Sequence, residues 1–210
     1  DSDHIGGLHA VIENIPTERI LFNGTAKDSP AWERLIQSAE SRNIPTYPVS
    51  YGMNWAVDAH TSLYVLHPIE QVPSELPVVS DQNGLSVVFA LTMYDKTFIL
   101  TGDIGTREER EILRVLRKSD MLRDVAGPTI DVLKIAHHGS KYSSSHEWLA
   151  YWQPAVAVIS VGRNNYGHPT PEVLDRLSEH SIQTYRTDLN GEVQYMATPS
   201  ELKLRTKFSN

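Results

Sequence analysis

The 210-residue sequence contains no cysteine, and this absence excludes several kinds of site. Disulfide bridges, thiolate nucleophiles and zinc sites built on cysteine are all ruled out. A metal ion bound by this chain must therefore be held by histidine, aspartate or glutamate side chains. The lack of cysteine is compatible with either a reducing or an oxidising compartment.

Basic residues are also scarce, and long apolar runs are missing. The 19 Lys and Arg residues against 26 Asp and Glu give a net charge of −7, which argues against a general polyanion binder, because such binding depends on clustered Lys and Arg. A bound dication would offset part of this acidity. Without a run of about 18 apolar residues, the sequence predicts a soluble chain. Its length predicts a single domain over residues 1–210, and its abrupt start is typical of a fragment of a longer protein.

Helical and extended patterns alternate along the sequence. Helices are predicted at LHAVIENI, SPAWERLIQSAESRN, TREEREILRVLRKSDML, SHEWLAYW and PEVLDRLSEHS. Strands are predicted at RILFNG, TSLYVLH, LSVVFALTMY, TFILTG, IDVLKIA, AVAVISVG, TYRT and EVQYMAT. Ser29 is the predicted N-cap of the second helix, with Pro30 at its first position. This alternation is typical of an α/β fold in which helices cover a sheet.

Metal-binding residue types occur in four stretches, most of them directly after an apolar segment. These stretches are DSDHIGGL with Asp1, Asp3 and His4, FILTGDIG with Asp103, VLKIAHHGS with His137 and His138, and NNYGHPTP with His168. Sheets of α/β proteins present ligand-binding groups at the carboxyl ends of their strands. Taken singly, each stretch has an ordinary explanation as a turn, a packed histidine or a frayed terminus. Together they predict a shared metal site, with the first stretch as a metal-binding loop.

The order of these motifs resembles the metallo-β-lactamase superfamily. The segments DSDHIGGL, LTGDIG, LKIAHHGSKYSSS and SVGRNNYGHPTPEVL are most similar to the C-terminal hydrolase domains of the ComEC family of competence DNA-uptake proteins. The resemblance implies an αββα sandwich, here lacking its first strands, in which two sheets pack face to face with helices outside. It also implies a metal-dependent hydrolase with its ions along one sheet edge.

The resemblance also implies a set of ligands. These are Asp1, Asp3, His4, Asp103 as the bridging carboxylate, and His137, for which His138 is the alternative. The family's first histidine would precede Asp1, and its middle histidine has no counterpart, because Gln82 and Asn83 occupy that region. One tight site and a weaker second site are therefore expected. The ion would be Mn²⁺ or Zn²⁺, with the carboxylates shifting preference toward manganese or magnesium.

The function that the resemblance implies is hydrolysis of phosphodiester bonds, as a nuclease that degrades one DNA strand during natural competence. Asp3 would orient the attacking water and His168 would transfer a proton, while Ser140, Lys141 and His138 would contact the substrate. The implied partners are DNA and the rest of a membrane uptake channel. The parent protein would lie in the bacterial plasma membrane with this domain on the outer side, and no stable oligomer is expected.

Two other functions stay open. The superfamily also opens lactones and cleaves thioesters and small phosphodiesters, and the lack of a basic, aromatic groove favours such a substrate. A non-catalytic module that guides DNA is the third possibility, because the ligand set is incomplete. Five further histidines are given no role, namely His9, His60, His67, His146 and His180.

Overall fold

The computed structural model describes residues 2–70, 76–119 and 129–208, and they form a mixed α/β fold. The strands are β1 Ile20–Phe22, β2 Thr46–Pro48, β3 Asn54–Ala56, β4 Thr61–His67, β5 Val88–Met93, β6 Lys96–Leu100, β7 Val132–Lys134, β8 Val156–Ile159, β9 Gln183–Arg186, β10 Val193–Ala197 and β11 Leu202–Thr206. The helices are α1 Ser2–Ile5, α2 Leu8–Asn14, α3 Pro30–Ser41, α4 Thr106–Leu116, α5 His146–Trp152, α6 Pro171–Glu179 and α7 Thr187–Asn190, with 3-10 turns at Asn83–Leu85 and Ala136–Gly139.

The main sheet has seven strands in the order β3-β4-β5-β6-β7-β8-β9. Neighbours from β3 to β6 are antiparallel, and neighbours from β6 to β9 are parallel. Parallel strands end at the same edge of a sheet, so the segments that follow β6, β7 and β8 lie side by side. The strands β1 and β2 form a separate parallel pair, and β10 and β11 form an antiparallel pair.

The hydrophobic core lies between one face of this sheet and the helices α4, α5 and α6. It is formed by residues of the central strands and of these helices that are almost completely buried, among them Ile99, Leu133, Ala157, Ile159, Ile112, Leu113, Trp148, Leu149, Val173 and Leu177. Burying a large apolar side chain contributes about 1.5 to 3 kcal/mol. A smaller cluster of Ile12, Leu35 and Ala39 joins α2 to α3. None of the described helices has the length and apolar content that crossing a bilayer requires.

Most predicted elements are confirmed, with four differences. The Ser29 hydroxyl accepts a hydrogen bond from the Trp32 backbone N–H at 3.3 Å, which confirms the predicted N-cap of α3. The first stretch was predicted as a metal-binding loop, but Ser2–Ile5 forms one helical turn. The helix α4 ends at Leu116, whereas the pattern predicted continuation to residue 122, and residues 120–122 of that prediction lie outside the described residues. The strands β3 and β11 were not predicted, because they depend on pairing with β4 and β10.

A buried carboxylate fixes the segment that follows the paired histidines. Glu109 on α4 is 0% exposed, and its carboxylate accepts hydrogen bonds from the backbone N–H groups of Ser144 and Ser145, the latter at 3.0 Å. Arg176 on α6 donates to the carbonyl oxygens of Ser143 and Ser144 at 2.8 and 3.0 Å. Burial raises the pKa of the Glu109 carboxyl, although these hydrogen bonds oppose the increase. The helices α4 and α6 thus hold residues 143–145 in one conformation.

Replacing Glu109 tests this anchor. We expect Glu109→Ala to lower the free energy of unfolding by about 2 to 3 kcal/mol, because two buried backbone donors lose their acceptor. Glu109→Gln fills the same space but keeps only one of the two acceptor oxygens and places an NH2 group against the other backbone N–H, so it should also be destabilised, by no more than Glu109→Ala. Urea unfolding followed by circular dichroism measures both variants, and equal stability of Glu109→Ala and the unsubstituted protein would contradict the assigned role.

The raised pKa of Glu109 also predicts a pH dependence. The folded state binds this proton more tightly than the unfolded state, so the stabilisation is fully present below the unfolded pKa, near 4.5, and is lost as the pH rises through the raised folded value. The unfolding free energy of the protein minus that of Glu109→Gln, measured from about pH 4 to 8, should therefore decrease as the pH rises. A difference that moves in the opposite direction would mean that folding lowers the pKa of Glu109.

Candidate metal centre

Four side chains from three separate segments converge at the carboxyl edge of the main sheet. His4 Nε2 lies 3.0 Å from Asp103 Oδ2, and His138 Nε2 lies 3.3 Å from Asp3 Oδ2 and 3.5 Å from Asp103 Oδ2. Ligand atoms of Asp3, His4 and His138 all lie within 4.8 Å of one another. Donors about 2.1 Å from a shared ion are at most about 4.2 Å apart, so small side-chain rotations would bring these atoms to ligand distance.

Two glycines make this approach possible. Gly102 follows β6 with φ +54°, and a Cβ atom there would lie 2.6 Å from Ser86 Cβ. Gly139 follows the paired histidines with φ +85°, and a Cβ atom there would lie 2.5 Å from Pro169 Cβ. A larger residue at either position would meet both a strained backbone and a steric clash. The chain therefore turns directly before Asp103 and directly after His138.

The paired histidines adopt an unusual backbone conformation. His137 has φ 49° and ψ 46°, and His138 has φ 53° and ψ 21°, so both are in the left-handed region. This region costs about 1 to 2 kcal/mol for a residue with a Cβ atom, and such residues cluster at functional sites. The conformation turns the chain back after β7 and is consistent with selection for the placement of the two rings.

The electrostatics of Asp103 depend on its histidine neighbours. Asp103 is 6% exposed. Burial opposes ionisation of its carboxyl group, but the contacts with His138 and His4 outweigh burial and hold the pKa of Asp103 well below its usual range. The contact with Asp103 in turn raises the pKa of the His138 imidazole. The site therefore holds a buried negative charge between two imidazole rings.

Two buried atoms of this cluster lack hydrogen-bond partners among the described residues, namely Asp103 Oδ1 and His138 Nε2. Six other buried polar atoms among the described residues also lack partners, so the observation supports a missing ligand here because these two belong to a cluster of metal-binding side chains. His138 Nδ1 lies 2.7 Å from the Ser160 carbonyl oxygen, which can only accept. Nδ1 therefore carries a proton, and a metal ion would take the place of the second proton at Nε2, which faces the carboxylates of Asp3 and Asp103. The donor set of imidazole nitrogen and carboxylate oxygen fits a divalent cation such as Mn²⁺ or Zn²⁺.

Residues behind the cluster support it, and the sequence patterns did not predict their roles. The Ser86 hydroxyl accepts a hydrogen bond from the Asp103 backbone N–H at 3.0 Å, and the Ser86 carbonyl oxygen lies 2.8 Å from His67 Nδ1. The Lys134 ammonium group donates to the carbonyl oxygens of Gly102 and Ile135 at 3.4 and 3.3 Å. Burial lowers the pKa of Lys134. A lysine within the apolar strand VLKIA was the one sequence signal that such a support existed.

The structure divides the predicted site residues into groups. Asp3, His4, Asp103 and His138 come together, whereas Asp1 lies outside the described residues. His138 occupies the position in this cluster that the sequence assigned first to His137. The His137 ring instead packs edge-on against the His168 ring, with centroids 5.5 Å apart. A ligand role for His137 stays a prediction.

Ser140 and Lys141, the predicted substrate contacts, have defined surroundings. So does Gln82, which lies in the region where the middle histidine was expected. Ser140 is buried, and its hydroxyl accepts a hydrogen bond from the Tyr142 backbone N–H at 3.4 Å. Lys141 is exposed, with its ammonium group 5.2 Å from the Tyr142 ring centroid. The Gln82 side chain makes four hydrogen bonds, three to Asn23, Thr25 and Ala26 in the segment after β1 and one to Val79. Gln82 therefore supports the fold, and nothing in its contacts suggests a ligand.

A cleft of about 810 Å³ borders the cluster on one side. It is lined by Asp3 and His138 of the cluster, by residues 160–166, and by His168 and Thr187. Burial and the nearby His137 lower the pKa of His168, so its imidazole is neutral at neutral pH. A smaller, mostly apolar cavity of about 270 Å³ lies on the other side, lined by His4, Asp103, Phe22 and Trp32 among others. The cleft gives a substrate direct access to the cluster.

Comparison with known proteins places this site in context. No family model matches the sequence. The chain is 33% identical over 198 residues to ComE operon protein 3 of Bacillus subtilis, 36% identical over 196 residues to Competence protein ComA of Neisseria gonorrhoeae, and 27% identical over 214 residues to Recombination protein 2 of Haemophilus influenzae. These alignments cover 93%, 93% and 100% of the chain but 23%, 24% and 23% of the relatives, so the chain spans about a quarter of their length.

One solved structure is similar in outline. It is described as "Putative metal-dependent hydrolase" and comes from Parabacteroides distasonis. The TM-score is 0.42 and the sequence identity is 11%, over 82% of this chain and 77% of that chain.

A metal-binding experiment can distinguish the predicted ligand roles of His137 and His138. At a Mn²⁺ concentration about 100 times the Kd, we expect the protein to gain about 2.7 kcal/mol of stability, or about 5 to 10 °C in Tm. His138→Ala should lose this shift, because it removes a ligand nitrogen from the cluster, whereas His137→Ala should keep most of it. Differential scanning calorimetry with and without Mn²⁺ measures both. Loss of the shift in His137→Ala with retention in His138→Ala would reverse the assignment.

Proposed function

Because the chain is homologous over most of its length to one region of the competence proteins ComE operon protein 3 and ComA, we propose that it is a metal-dependent phosphodiesterase that acts on DNA during uptake. The observation that carries the proposal is the convergence of Asp3, His4, Asp103 and His138 beside an open cleft, with buried atoms of the cluster such as Asp103 Oδ1 left without a hydrogen-bond partner among the described residues. Such atoms are expected where a cation binds and substrate must reach it.

The proposed architecture is a single metallo-β-lactamase-like domain with an αββα sandwich. The seven-stranded sheet with α4, α5 and α6 on one face would be one half of it. The pair β10 and β11 lies toward the other face, where the Tyr195 ring contacts the Phe98 ring of β6 with centroids 6.0 Å apart. This arrangement supports a second layer on that face of the sheet.

In the proposed mechanism, Asp3, His4, Asp103 and His138 hold the cation. A divalent cation in such a site lowers the pKa of water and offsets the charge of a phosphodiester. Asp3, whose carboxylate is largely exposed at the cleft, accepts a hydrogen bond from the attacking water and orients it. His168 also lines the cleft and is neutral, so it can take a proton from water and return it to the leaving oxygen. A positioned acid or base of this kind contributes about 10²- to 10⁴-fold to a rate.

The ligand set supports one tight cation site, for Mn²⁺ or Zn²⁺. A second, weaker site beside Asp103 Oδ1 would need further donors, for which Asp1 remains the proposed candidate. Ser140 and Lys141 remain proposed phosphate contacts. The names of the relatives support DNA uptake as the setting, and the same proposal includes the rest of a membrane channel as partner, with this domain on the outer side of the plasma membrane.

Charge favours a second candidate function. Arg163 is the one Lys or Arg among the described residues that line the cleft, and the chain as a whole carries a net charge of −7. A site with little positive charge suits a small phosphodiester, lactone or thioester better than a long polyanion. A non-catalytic DNA-guiding module would need no bound cation at all. A substrate panel with metal analysis separates these alternatives.

The direct test is cleavage of single-stranded DNA in the presence of Mn²⁺. We expect degradation by the protein and a loss of at least about 10²-fold in Asp103→Ala, since the substitution removes the central carboxylate of the cluster. His146→Ala, which changes a surface histidine paired with His180, is the matched control and should keep full activity. Equal cleavage by the protein and Asp103→Ala would end the proposal. Turnover of a lactone or thioester without DNA cleavage would favour the second candidate.

A further inference from the structure

We propose that Tyr166 is a stacking platform for a nucleobase of single-stranded nucleic acid, and that Arg163 contacts the adjoining phosphate. Both residues belong to residues 162–168, here called the Tyr166 loop, which follows β8. This inference rests on the proposed function and names its substrate more narrowly, as a flexible strand whose bases are free to stack. Nothing in the sequence motifs had assigned a role to either residue.

The exposure of Tyr166 is the first observation. Its side chain is 83% exposed, the highest value of any large hydrophobic side chain that the structure describes. The ring is tilted over the His168 ring with centroids 6.0 Å apart, and most of its surface faces solvent. An aromatic ring in this position contributes little to the core, and exposed aromatic side chains are typical of binding surfaces.

The Tyr166 loop is held in place by one side chain. Asn164 Nδ2 donates to the carbonyl oxygens of Gly162 and His168 at 2.9 and 2.8 Å. Asn164 Oδ1 accepts hydrogen bonds from the backbone N–H groups of Tyr166 and His168, both at 3.0 Å. These four bonds involve both donors and both lone pairs of the amide. The loop is thus organised before any ligand binds, which reduces the entropic cost of stacking on Tyr166.

The position of the loop connects the platform to the metal centre. Tyr166 and Arg163 line the same cleft as Asp3 and His138, so a ligand that fills the cleft contacts both ends. Arg163 has no salt bridge or hydrogen bond to another described residue, and its guanidinium group is exposed. A guanidinium group binds phosphate oxygens through two parallel hydrogen bonds. The cleft therefore combines an aromatic face, one cation and a metal centre.

Single-stranded nucleic acid fits this surface better than duplex nucleic acid does, because stacking contributes more here than attraction to the phosphates. Stacking of a base on an aromatic side chain is worth about 1 to 3 kcal/mol and tolerates any sequence, whereas the bases of a duplex are already stacked on one another. With a net charge of −7, the chain as a whole offers little general attraction for the phosphates on which duplex binding mainly depends. Stacking supplies affinity that does not require positive charge.

The test is binding rather than cleavage, so it does not depend on the proposed activity. Fluorescence anisotropy measures the Kd of a labelled oligothymidylate in the Asp103→Ala background, which prevents turnover. Tyr166→Ala should raise the Kd about 5- to 150-fold, and Tyr166→Phe should leave it within about twofold, because the ring and not the hydroxyl stacks. The matched control is Tyr94→Asn, which removes an aromatic ring at the opposite end of the sheet and suits the φ of 56° at that position.

An abasic strand of the same length provides the second comparison. This strand keeps the phosphates but lacks the bases. Its Kd should therefore be the same for Tyr166→Ala as for the protein that retains Tyr166. Arg163→Gln should weaken binding of both strands. An unchanged oligothymidylate Kd in Tyr166→Ala, an equal loss with the abasic strand, or an equal loss with duplex DNA would overturn the proposal. Clear base-dependent binding without any cleavage by the protein would uphold the platform while ending the proposed nuclease function.

Discussion

The carboxylate of Asp103 is buried between the imidazole rings of His4 and His138, and the candidate site depends on this contact. A buried charge is destabilising unless it is paired, and here the two rings are close enough to keep the carboxylate ionised. The pairing is incomplete, however, because Asp103 Oδ1 has no partner among the described residues. A buried carboxylate oxygen without a partner beside a cleft is explained if a cation binds to it. This is the physical basis of the functional proposal.

The surrounding fold serves to hold that carboxylate and the two rings in place. The parallel arrangement of β6 and β7 brings Asp103 and His138 to one edge, and Gly102 and Gly139 allow the turns that follow the strands. Ser86 and Lys134 fix the backbone beside Asp103, while Glu109 and Arg176 fix residues 143–145 farther along the chain. The cost of the left-handed histidine pair is thus balanced by contacts from several elements, as expected where strain is retained for function.

The cleft beside the cluster determines which substrates are plausible. Its walls are polar and rigid on one side, through the Asn164 hydrogen bonds, and carry little positive charge. Affinity for a nucleic acid would therefore have to come from the metal centre and from stacking on Tyr166 more than from general electrostatic attraction. This division of roles is compatible with an acidic chain that acts on a polyanion.

The sequence alone determined the residue types of the site and most of the elements that carry them. Periodicity located most of the helices and central strands. The motifs containing Asp3, His4, Asp103 and the histidine pair could be predicted as candidate ligands, because these side chains have metal-binding chemistry wherever they lie. Only the tertiary structure decided that His138 joins Asp103 while His137 faces His168, since neighbouring residues in a left-handed turn point in different directions and no local pattern reports which one faces the cleft. The supports from Ser86 and Lys134 and the exposure of Tyr166 likewise arise from contacts between distant segments, which periodicity and residue type do not encode.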